Sequence, residues 1–319
     1  MQQSQQQGHD GRIAYRCCVG VLRSFSLVVL GIIGCSRAIT PSSTIFSNTQ
    51  VDLATPPAPV TQPTLNYATH DLPGSIVHTV TIPPETDYRV HVALAETLSP
   101  LSVLAEEAGA IAAINAGFFD PQNGLTTSYV TIQNQLVADP TQNLRLIENP
   151  DLTPYLDAIL DRSEFRIYDC VDGVQYDITR HSTPIPSNCV LAGSVGAGPQ
   201  LLPQVTGYEE GFLANNSQGE VVRDAVGSRY PNARSAVGLK ADGSVVLVMV
   251  SQRSDVAAPT GLSFDDLAGF LQELDVISAL NLDGGSSSGL FFQGEAFYGR
   301  LDAENRPVER SIKSILLVR

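Results

Sequence analysis

Residues 279–288 read Ala-Leu-Asn-Leu-Asp-Gly-Gly-Ser-Ser-Ser. The apolar start predicts a short buried strand that delivers Asn281 and Asp283 to a turn. Gly284 and Gly285 lack a Cβ, so the backbone is free to turn sharply there. The backbone N–H groups and serine hydroxyls of the turn are predicted to converge on an anion, with Asp283 beside it. An aspartate that only caps the turn is the structural alternative, since that arrangement is common before glycine.

The composition bounds the class of protein. The chain has 319 residues, of which 43% are apolar, and a formal net charge of −14. This length suits one large domain or two small ones. An acidic chain lacks the basic surface that nucleic-acid binding requires, so no nucleic-acid partner is predicted. The Cys and His spacings do not resemble a zinc site, and no loop has EF-hand spacing for calcium. We therefore predict neither a metal nor a cofactor.

The N-terminal part has the features of an export signal. Residues 1–34 carry basic residues followed by an apolar run that is too short to favour a stable membrane span. A small residue precedes Cys35, as in a bacterial lipobox, which would make Cys35 the lipidated N-terminus of the mature chain. A plain secretory signal with a chance cysteine is the alternative. Residues 35–66, rich in Ser, Thr, Pro and Gln, are predicted to be a disordered tether. We expect a protein of the cell envelope, periplasm or exterior, attached to membrane only through a lipid at Cys35.

Two cysteines remain in the body of the chain. Export permits a disulfide between Cys170 and Cys189, and two free thiols are the alternative. Both cysteines fall in residues 150–190, the least regular part of the sequence. We predict that this segment is a peripheral insertion in a single domain spanning residues 67–319.

Two further features surround the central stretch. Residues 111–115 resemble residues 277–281, and both segments end in asparagine. If this echo is more than chance composition, Asn115 and Asn281 face the same cleft. Arg234 opens another predicted buried strand, and its planar guanidinium suits a phosphate or carboxylate. A structural ion pair is the alternative role for this arginine.

Local patterns also predict the elements next to these residues. Ser263 to Asp266 form a capping box, and apolar residues at helical spacing follow. They predict a helix that leads into the central stretch. Residues 235–240 and 244–250 are predicted to form a hairpin through the turn at 241–243.

Taken together and in order, four segments resemble the phosphodiester glycosidase family. They are Ile114-Asn115-Ala116-Gly117-Phe118-Phe119, Gly196-Ala197-Gly198-Pro199-Gln200-Leu201, Ala233-Arg234-Ser235-Ala236-Val237-Gly238 and Asn281-Leu282-Asp283-Gly284-Gly285-Ser286-Ser287. The resemblance covers roughly residues 75–319. It implies an α+β fold with a mixed β-sheet core and a few short helices. It also implies hydrolysis of a sugar–phosphate diester at the anomeric carbon of the sugar.

The resemblance and the chemistry of the matching residues define the predicted site. The catalytic candidates are Asp283, Arg234, Asn115 and Asn281. The substrate-binding candidates are Gly117, Phe118, Phe119, Ser235, Gly284, Gly285, Ser286, Ser287 and Arg253. Two motifs depart from the family. The usual Asp-Gly-Arg is Ser251-Gln252-Arg253, so only the arginine matches, and the usual Asn-Gly-Gly is Asn115-Ala116-Gly117.

A mechanism follows as a hypothesis. Glycoside cleavage passes through an oxocarbenium-like transition state that is commonly served by two carboxyl groups. A phosphate monoester is already a good leaving group, so stabilisation of its charge matters more than its protonation. Asp283 is predicted to act as nucleophile or general base, and Arg234 to hold the phosphate with the help of the 284–287 turn. No second carboxylate stands out, and Asp120 and Asp255 are the only candidates.

The remaining candidates have supporting roles in this hypothesis. Asn115 and Asn281 bind sugar hydroxyls or orient Asp283, and Phe118 or Phe119 forms an apolar wall against the sugar; simple core packing is the alternative for the two aromatic residues. The predicted partner is a sugar-phosphate small molecule or a phosphoglycan. A non-catalytic, envelope-anchored module that binds glycans or phosphoglycans is the alternative function. Release of free sugar distinguishes the enzyme from the module.

Overall fold

The computed structural model describes residues 64–257 and 259–319. The predicted signal segment, the lipidation site at Cys35 and the tether up to residue 63 lie outside the described residues. In chain order the strands are β1 (Asn66–Leu72), β2 (Ser75–Ile82), β3 (Val90–Ser99), β4 (Ala112–Asn115), β5 (Val130–Ile132), β6 (Gln135–Ala138), β7 (Ser163–Cys170), β8 (Gly173–Arg180), β9 (Cys189–Gly196), β10 (Gln200–Leu202), β11 (Leu213–Asn215), β12 (Val221–Asp224), β13 (Arg234–Lys240), β14 (Val245–Gln252), β15 (Val276–Asn281), β16 (Gly289–Phe292), β17 (Glu295–Tyr298) and β18 (Ile312–Val318). The helices are α1 (Leu101–Glu107), α2 (Leu144–Ile147), α3 (Leu156–Leu160) and α4 (Phe264–Glu273). The described part of the chain contains no helix long and apolar enough to cross a membrane.

Three sheets form the body of the fold. Their strand orders are β1-β2-β14-β13-β15-β10, β17-β16-β4-β18-β3 and β6-β5-β9-β7-β8, and β11 and β12 form a separate pair. The predicted α+β class with a few short helices is confirmed. The resemblance implied a mixed sheet, and within the described ranges every pairing of these strands is antiparallel.

The largest core lies between the three sheets. Val80, Ile114 and Phe165 each come from a different sheet, and all three are fully buried. Burial of a side chain of this size contributes roughly 1.5–3 kcal/mol to stability, so this shared core fixes the sheets against one another.

The two longer helices cover outer faces of the sheets. Helix α4 lays Leu267 and Leu271 on the six-stranded sheet, and its predicted capping box between Ser263 and Asp266 is present. Helix α1 packs against the sheet that contains β4 and β18. Because β14 is covered on both faces, Val245 to Val250 are all buried.

The segment 150–190 is more than a peripheral insertion. Strand β7 lies between β8 and β9, and its Phe165 and Ile167 belong to the shared core. A disulfide joins Cys170 to Cys189, which are paired neighbours on β7 and β9. Local irregularity in the sequence does not reveal this burial, because the core that covers Phe165 and Ile167 is built by residues from all three sheets.

Candidate active site

The central turn lies where two sheets meet. Strand β15 ends at Asn281, and the N–H of Leu282 still donates to the Ser235 carbonyl of the neighbouring β13 at 2.8 Å. The N–H of Asp283 then donates to the Ala116 carbonyl, at the end of β4 in the second sheet, also at 2.8 Å. Gly285 adopts a φ of 60°, which a side chain disfavours. The chain therefore leaves one sheet at Asn281, touches the other at Asp283 and reverses at Gly285.

Asn115 fixes Asp283 from behind. Its Nδ2 donates to the Asp283 carbonyl at 2.5 Å. Its Oδ1 accepts from the Ser235 hydroxyl at 2.6 Å and from the Gly289 N–H at 3.1 Å. These groups come from three parts of the chain, around residues 115, 235 and 283–289, and Asn115 is almost fully buried. The contacts of Asn115 and Ser235 are thus to the protein, and these residues position Asp283.

The Asn115 contacts give the first testable prediction. Asn115→Asp keeps the acceptor for Ser235 and Gly289 but replaces the donor to the Asp283 carbonyl with an oxygen. Because a buried polar group then faces another acceptor, we expect a loss of about 2–4 kcal/mol in the free energy of unfolding, measured by urea denaturation. Asn134→Asp in the exposed β5–β6 turn is the control. A loss under about 1 kcal/mol contradicts this role.

A polar cleft opens beside the central turn. It has a volume of about 350 Å³. Its lining residues come from four parts of the chain and are Phe118, Ala225, Val226, Gly227, Asn232, Arg234, Asn281, Asp283, Gly284 and Gly285. The structure therefore brings Asp283, Arg234 and Asn281 to one cleft, as the sequence predicted. Asn115 contacts Asp283 but is not among the lining residues. It therefore does not face the same cleft as Asn281, which the similarity between residues 111–115 and 277–281 had suggested.

The environment of Asp283 changes its acidity. Burial raises the pKa of the Asp283 carboxyl to about 6, against the opposing effects of Ser287, Arg310 and the Gly284 N–H. Although Ser287 is close enough to lower this pKa, its buried hydroxyl makes no hydrogen bond of normal geometry within the described residues. Asn281 Oδ1 is also buried without a partner there. Buried polar atoms normally have partners, so unpaired atoms beside a carboxylate indicate a place for a ligand.

Arg234 is bound almost entirely to backbone. Its Nε donates to the Leu262 carbonyl at 3.1 Å, and its two terminal nitrogens donate to the carbonyls of Val226, Gly227 and Tyr230 at 2.9, 2.6 and 2.9 Å. The guanidinium also lies 4.5 Å from the centroid of the Phe264 ring. Burial lowers the pKa of Arg234 to about 10, opposed by Asp224, so the side chain stays charged at neutral pH. Arg234 thus fixes the 226–230 loop that forms one wall of the cleft.

The two phenylalanines divide between cleft and core. Phe118 lines the cleft and packs at 5.7 Å, centroid to centroid, against Phe212. Phe119 is buried in the core beneath α1. Gly117 allows close packing, because a Cβ there would lie 2.8 Å from the Gly196 carbonyl. Of these three candidates, only Phe118 is in a position to contact a sugar.

Three side chains that were candidates for the site, those of Arg253, Asp120 and Asp255, lie away from the cleft. The guanidinium of Arg253 is bound by the carboxylates of Asp71 and Asp255 and is not among the cleft-lining residues. Asp120 pairs with Arg145 at 2.5 Å, outside the cleft lining. The carboxylates of Asp120 and Asp255 are therefore both engaged in ion pairs away from Asp283.

The turn itself offers fewer donors than predicted. The N–H groups of Gly285, Ser287 and Ser288 donate to the carbonyls of Ala233, Gly284 and Gly285. Their donation within the protein leaves them unable to converge on an anion. The serine hydroxyls of the predicted anion site remain as candidate donors, and the Ser286 hydroxyl accepts a hydrogen bond from Arg310.

Besides Ala225, Val226 and Gly227, two polar residues of the site were not predicted from the sequence. Asn232 lines the cleft, and nothing in the sequence around it distinguishes it. Arg310 is not among the cleft-lining residues, but it lies beside Ser286 in the central turn and acts on the pKa of Asp283. It precedes the closing strand β18 as Arg234 opens β13, so the pattern that drew attention to Arg234 also marks Arg310.

Known proteins resemble this chain in sequence and in fold. A family model described as phosphodiester glycosidase matches residues 108–319. The catalytic domain of zebrafish N-acetylglucosamine-1-phosphodiester α-N-acetylglucosaminidase, auto-inhibited by its pro-peptide, is similar to this chain with 18% identity and a TM-score of 0.58, covering 80% of this chain and 83% of that one. A Burkholderia pseudomallei protein is similar with 15% identity and a TM-score of 0.55, covering 77% and 74% of the two chains.

The other comparisons add little. A hypothetical protein from Synechocystis shares 20% identity at a TM-score of 0.49, over 79% of this chain, and this chain spans 62% of that protein. No curated protein matches the chain. At these identities the solved structures support the fold alone, whereas the family model covers more than half of the sequence. The chain therefore belongs to the phosphodiester glycosidase family and is a glycosidase.

Proposed function

We propose that the protein hydrolyses a sugar-1-phosphodiester at the anomeric carbon and releases free sugar from a phosphate-linked glycoconjugate of the envelope or extracellular space. The observation that carries this proposal is the half-buried carboxyl of Asp283, which lines a polar cleft beside two unpaired buried polar atoms, Asn281 Oδ1 and Ser287 Oγ. Membership of the family supports the reaction class. The substrate is proposed from the chemistry of the cleft.

The cleft suits a substrate whose leaving group departs without protonation by a second carboxyl group. Among the described residues that line it, Asp283 supplies the carboxylate. A phosphate monoester has a second pKa near 6 and leaves without strong acid catalysis, so one carboxylate is sufficient. Oxygen from water joins the anomeric carbon, the bond from that carbon to the phosphate oxygen breaks, and the phosphate keeps the electron pair. Asp283 either attacks the anomeric carbon first or takes the proton from water.

The acidity of Asp283 gives a pH prediction. Because its pKa is raised to about 6 and the ionised form is the nucleophile or base, kcat/KM is expected to rise with pH through about 6 and then level off. Initial rates on a sugar-1-phosphodiester between pH 4.5 and 8 measure this. A protonated Asp283 acting as general acid would give the opposite slope. A flat profile between pH 5 and 7 would separate Asp283 from the chemistry.

An exported location is part of the proposal. The signal-like segment 1–34 supports it, and so does the disulfide between Cys170 and Cys189, since disulfides persist in oxidising compartments. Attachment through a lipid at Cys35 would bring the domain close to envelope glycoconjugates. Metabolic labelling with a fatty-acid analogue tests the lipid, with Cys35→Ser as the unlabelled control.

The decisive experiment measures the product. The purified protein is incubated with a panel of α- and β-linked sugar-1-phosphodiesters, including UDP-sugars, and free sugar is quantified. Release of free sugar together with a phosphate monoester supports the proposal. Saturable binding without release would instead indicate a glycan-binding module, and release from neutral glycosides alone would contradict the phosphate requirement.

A further inference from the structure

Arg234 has few N–H donors available to a substrate. A guanidinium carries five N–H donors, and four of those on Arg234 already bind the carbonyls of Leu262, Val226, Gly227 and Tyr230. Bidentate recognition of phosphate needs two parallel N–H groups, so Arg234 cannot supply it without losing the contacts that fix the loop. Another cation must meet the phosphate if the proposed function holds.

Arg310 is in a different state. Among the described residues, one hydrogen bond of its guanidinium is found, from Nη1 to the Ser286 hydroxyl at 2.9 Å. The guanidinium lies 5.1 Å from the centroid of the Phe119 ring, and the side chain is half-buried. It is therefore held in place on two sides, while most of its N–H donors remain open to another partner.

Arg310 lies near the proposed reacting group, the carboxyl of Asp283. Ser286 follows Asp283 by three residues in the central turn, and the charge of Arg310 is close enough to oppose the rise in the Asp283 pKa. The two side chains do not form a direct ion pair in the described structure. The hydroxyl of Ser287, a residue that is 4% exposed, is close enough to the same carboxyl to lower its pKa but has no partner of normal hydrogen-bond geometry within the described residues. A cation and an uncommitted hydroxyl next to a carboxylate form a receptor for a small anion.

We propose that Arg310, and not Arg234, supplies the guanidinium that binds the substrate's phosphate, with Ser286 and Ser287 beside it. This inference rests on the proposed function. It also predicts how the substrate is oriented in the cleft. The sugar occupies the cleft between Phe118 and Asn281, the anomeric carbon meets Asp283, and the phosphate lies toward Arg310. As the bond to the anomeric carbon breaks, charge grows on the leaving phosphate, where a fixed cation is most effective.

The orientation predicts the kind of substrate selected. A leaving group with non-bridging phosphate oxygens gains the Arg310 contacts, whereas a neutral aryl or alkyl glycoside gains none. The group on the far side of the phosphate lies outside the cleft described above. We therefore expect strong selection for phosphate at the anomeric position and weaker selection for the group attached to it.

The test compares Arg310→Gln with Arg306→Gln. Arg306 is an exposed arginine in the loop before β18 that pairs with Asp302 and Glu304, so the control removes the same charge nearby. For Arg310→Gln we expect kcat/KM on a sugar-1-phosphodiester to fall by about 10²–10³-fold. Inhibition by inorganic phosphate and by the sugar 1-phosphate is lost, inhibition by the free sugar is unchanged, and the acid limb of the pH profile moves to higher pH. Arg306→Gln stays within about twofold of the unmodified protein.

Arg310→Lys tests whether the losses in Arg310→Gln come from a folding defect. It keeps the charge but not the planar fork, so we expect about a tenfold recovery over Arg310→Gln with weak phosphate inhibition. Equal losses of affinity for free sugar and for phosphate would overturn the proposal, because they indicate a structural role. Unchanged phosphate inhibition in Arg310→Gln would overturn it as well.

The proposal can fail separately from the proposed function. Binding of inorganic phosphate and of a sugar 1-phosphate is measured by calorimetry on the unmodified protein and on Arg310→Gln. If the unmodified protein releases no sugar from any phosphodiester, the proposed function fails, and loss of phosphate binding in the variant still supports the anion site. If sugar is released but phosphate binding does not depend on Arg310, the proposed function stands and this inference fails.

Discussion

Replacing Asp283 with asparagine is expected to lower kcat/KM on a sugar-1-phosphodiester by about 10²–10⁴-fold and, at neutral pH, to make the protein more stable. The loss of activity follows from removing the only carboxylate among the described lining residues of the cleft. The gain in stability follows from the burial of that carboxylate. The two effects have opposite signs, which is typical of a residue that function retains at the expense of stability.

The sign of the stability change depends on pH. Burial raises the pKa of Asp283 from 3.8 to about 6, so the folded protein binds a proton here more tightly than the unfolded chain does. The ionised carboxyl is therefore less favourable in the folded state, and stability is lost as pH rises between about 4 and 6. Asparagine is neutral throughout, and above pH 6 the variant is expected to gain at most about 3 kcal/mol in the free energy of unfolding. Below pH 4 this gain should vanish.

Asp242→Asn is a matched control. Asp242 also precedes a glycine in a turn, and its carboxylate accepts the Ser244 N–H at 2.8 Å, which lowers its pKa. Its loss should weaken a turn-capping contact without affecting turnover. If Asp283 has only that capping role, Asp283→Asn will likewise lose stability and keep its activity. Urea denaturation at pH 4 and pH 7.5, together with kinetics at pH 7.5, distinguishes the two outcomes.

The sequence predicted the parts of the site that depend on local signals. The apolar run before Asp283, the paired glycines and the capping box before α4 are each contained within about ten residues, and all appear as predicted. The hairpin of β13 and β14 is likewise encoded by two apolar runs around Asp242-Gly243. These features could be predicted because the energies that favour them come from neighbouring residues.

The roles of the polar side chains could not be predicted in this way. Asn115 was expected either to bind sugar hydroxyls or to orient Asp283, and its contacts fit the second role. The sequence did not indicate which, because its partners at Ser235, Asp283 and Gly289 are more than a hundred residues away. Arg234 was assigned to the phosphate because its type suits an anion, and its donors are used by carbonyls of a loop that has no pattern of its own. Residue type gives the capacity to bind, whereas the choice of partner is set by long-range packing.

Arg234→Lys is expected to lower the free energy of unfolding by about 2–4 kcal/mol and kcat/KM by about 10–100-fold. Lysine keeps the charge but has three donors on one atom, so it cannot reach four carbonyls that lie around a planar fork. It also loses the stacking on Phe264 at the start of α4. The carbonyls of Val226, Gly227 and Tyr230 then share a single ammonium nitrogen at best, and the wall of the cleft is no longer fixed.

The matched control for this variant is Arg229→Lys. Arg229 is exposed in the same loop, so the substitution changes the same residue type without removing the carbonyl contacts. Denaturation midpoints and steady-state kinetics are measured for both variants. We expect Arg229→Lys to differ from the unmodified protein by less than about 0.5 kcal/mol, as is usual for surface substitutions.

The pattern of losses decides what Arg234 does. A guanidinium that positions the 226–230 loop affects the sugar side of the cleft, so Arg234→Lys should weaken inhibition by free sugar and by sugar 1-phosphate to the same extent. A guanidinium that binds phosphate directly would leave stability and free-sugar inhibition intact and weaken only the phosphate-bearing ligands. The latter result would return the phosphate to Arg234, whose carbonyl contacts would then have to be exchanged for substrate at each turnover. Because four charged hydrogen bonds in a buried site are costly to break, we expect the loop to keep its arginine and the phosphate to bind elsewhere.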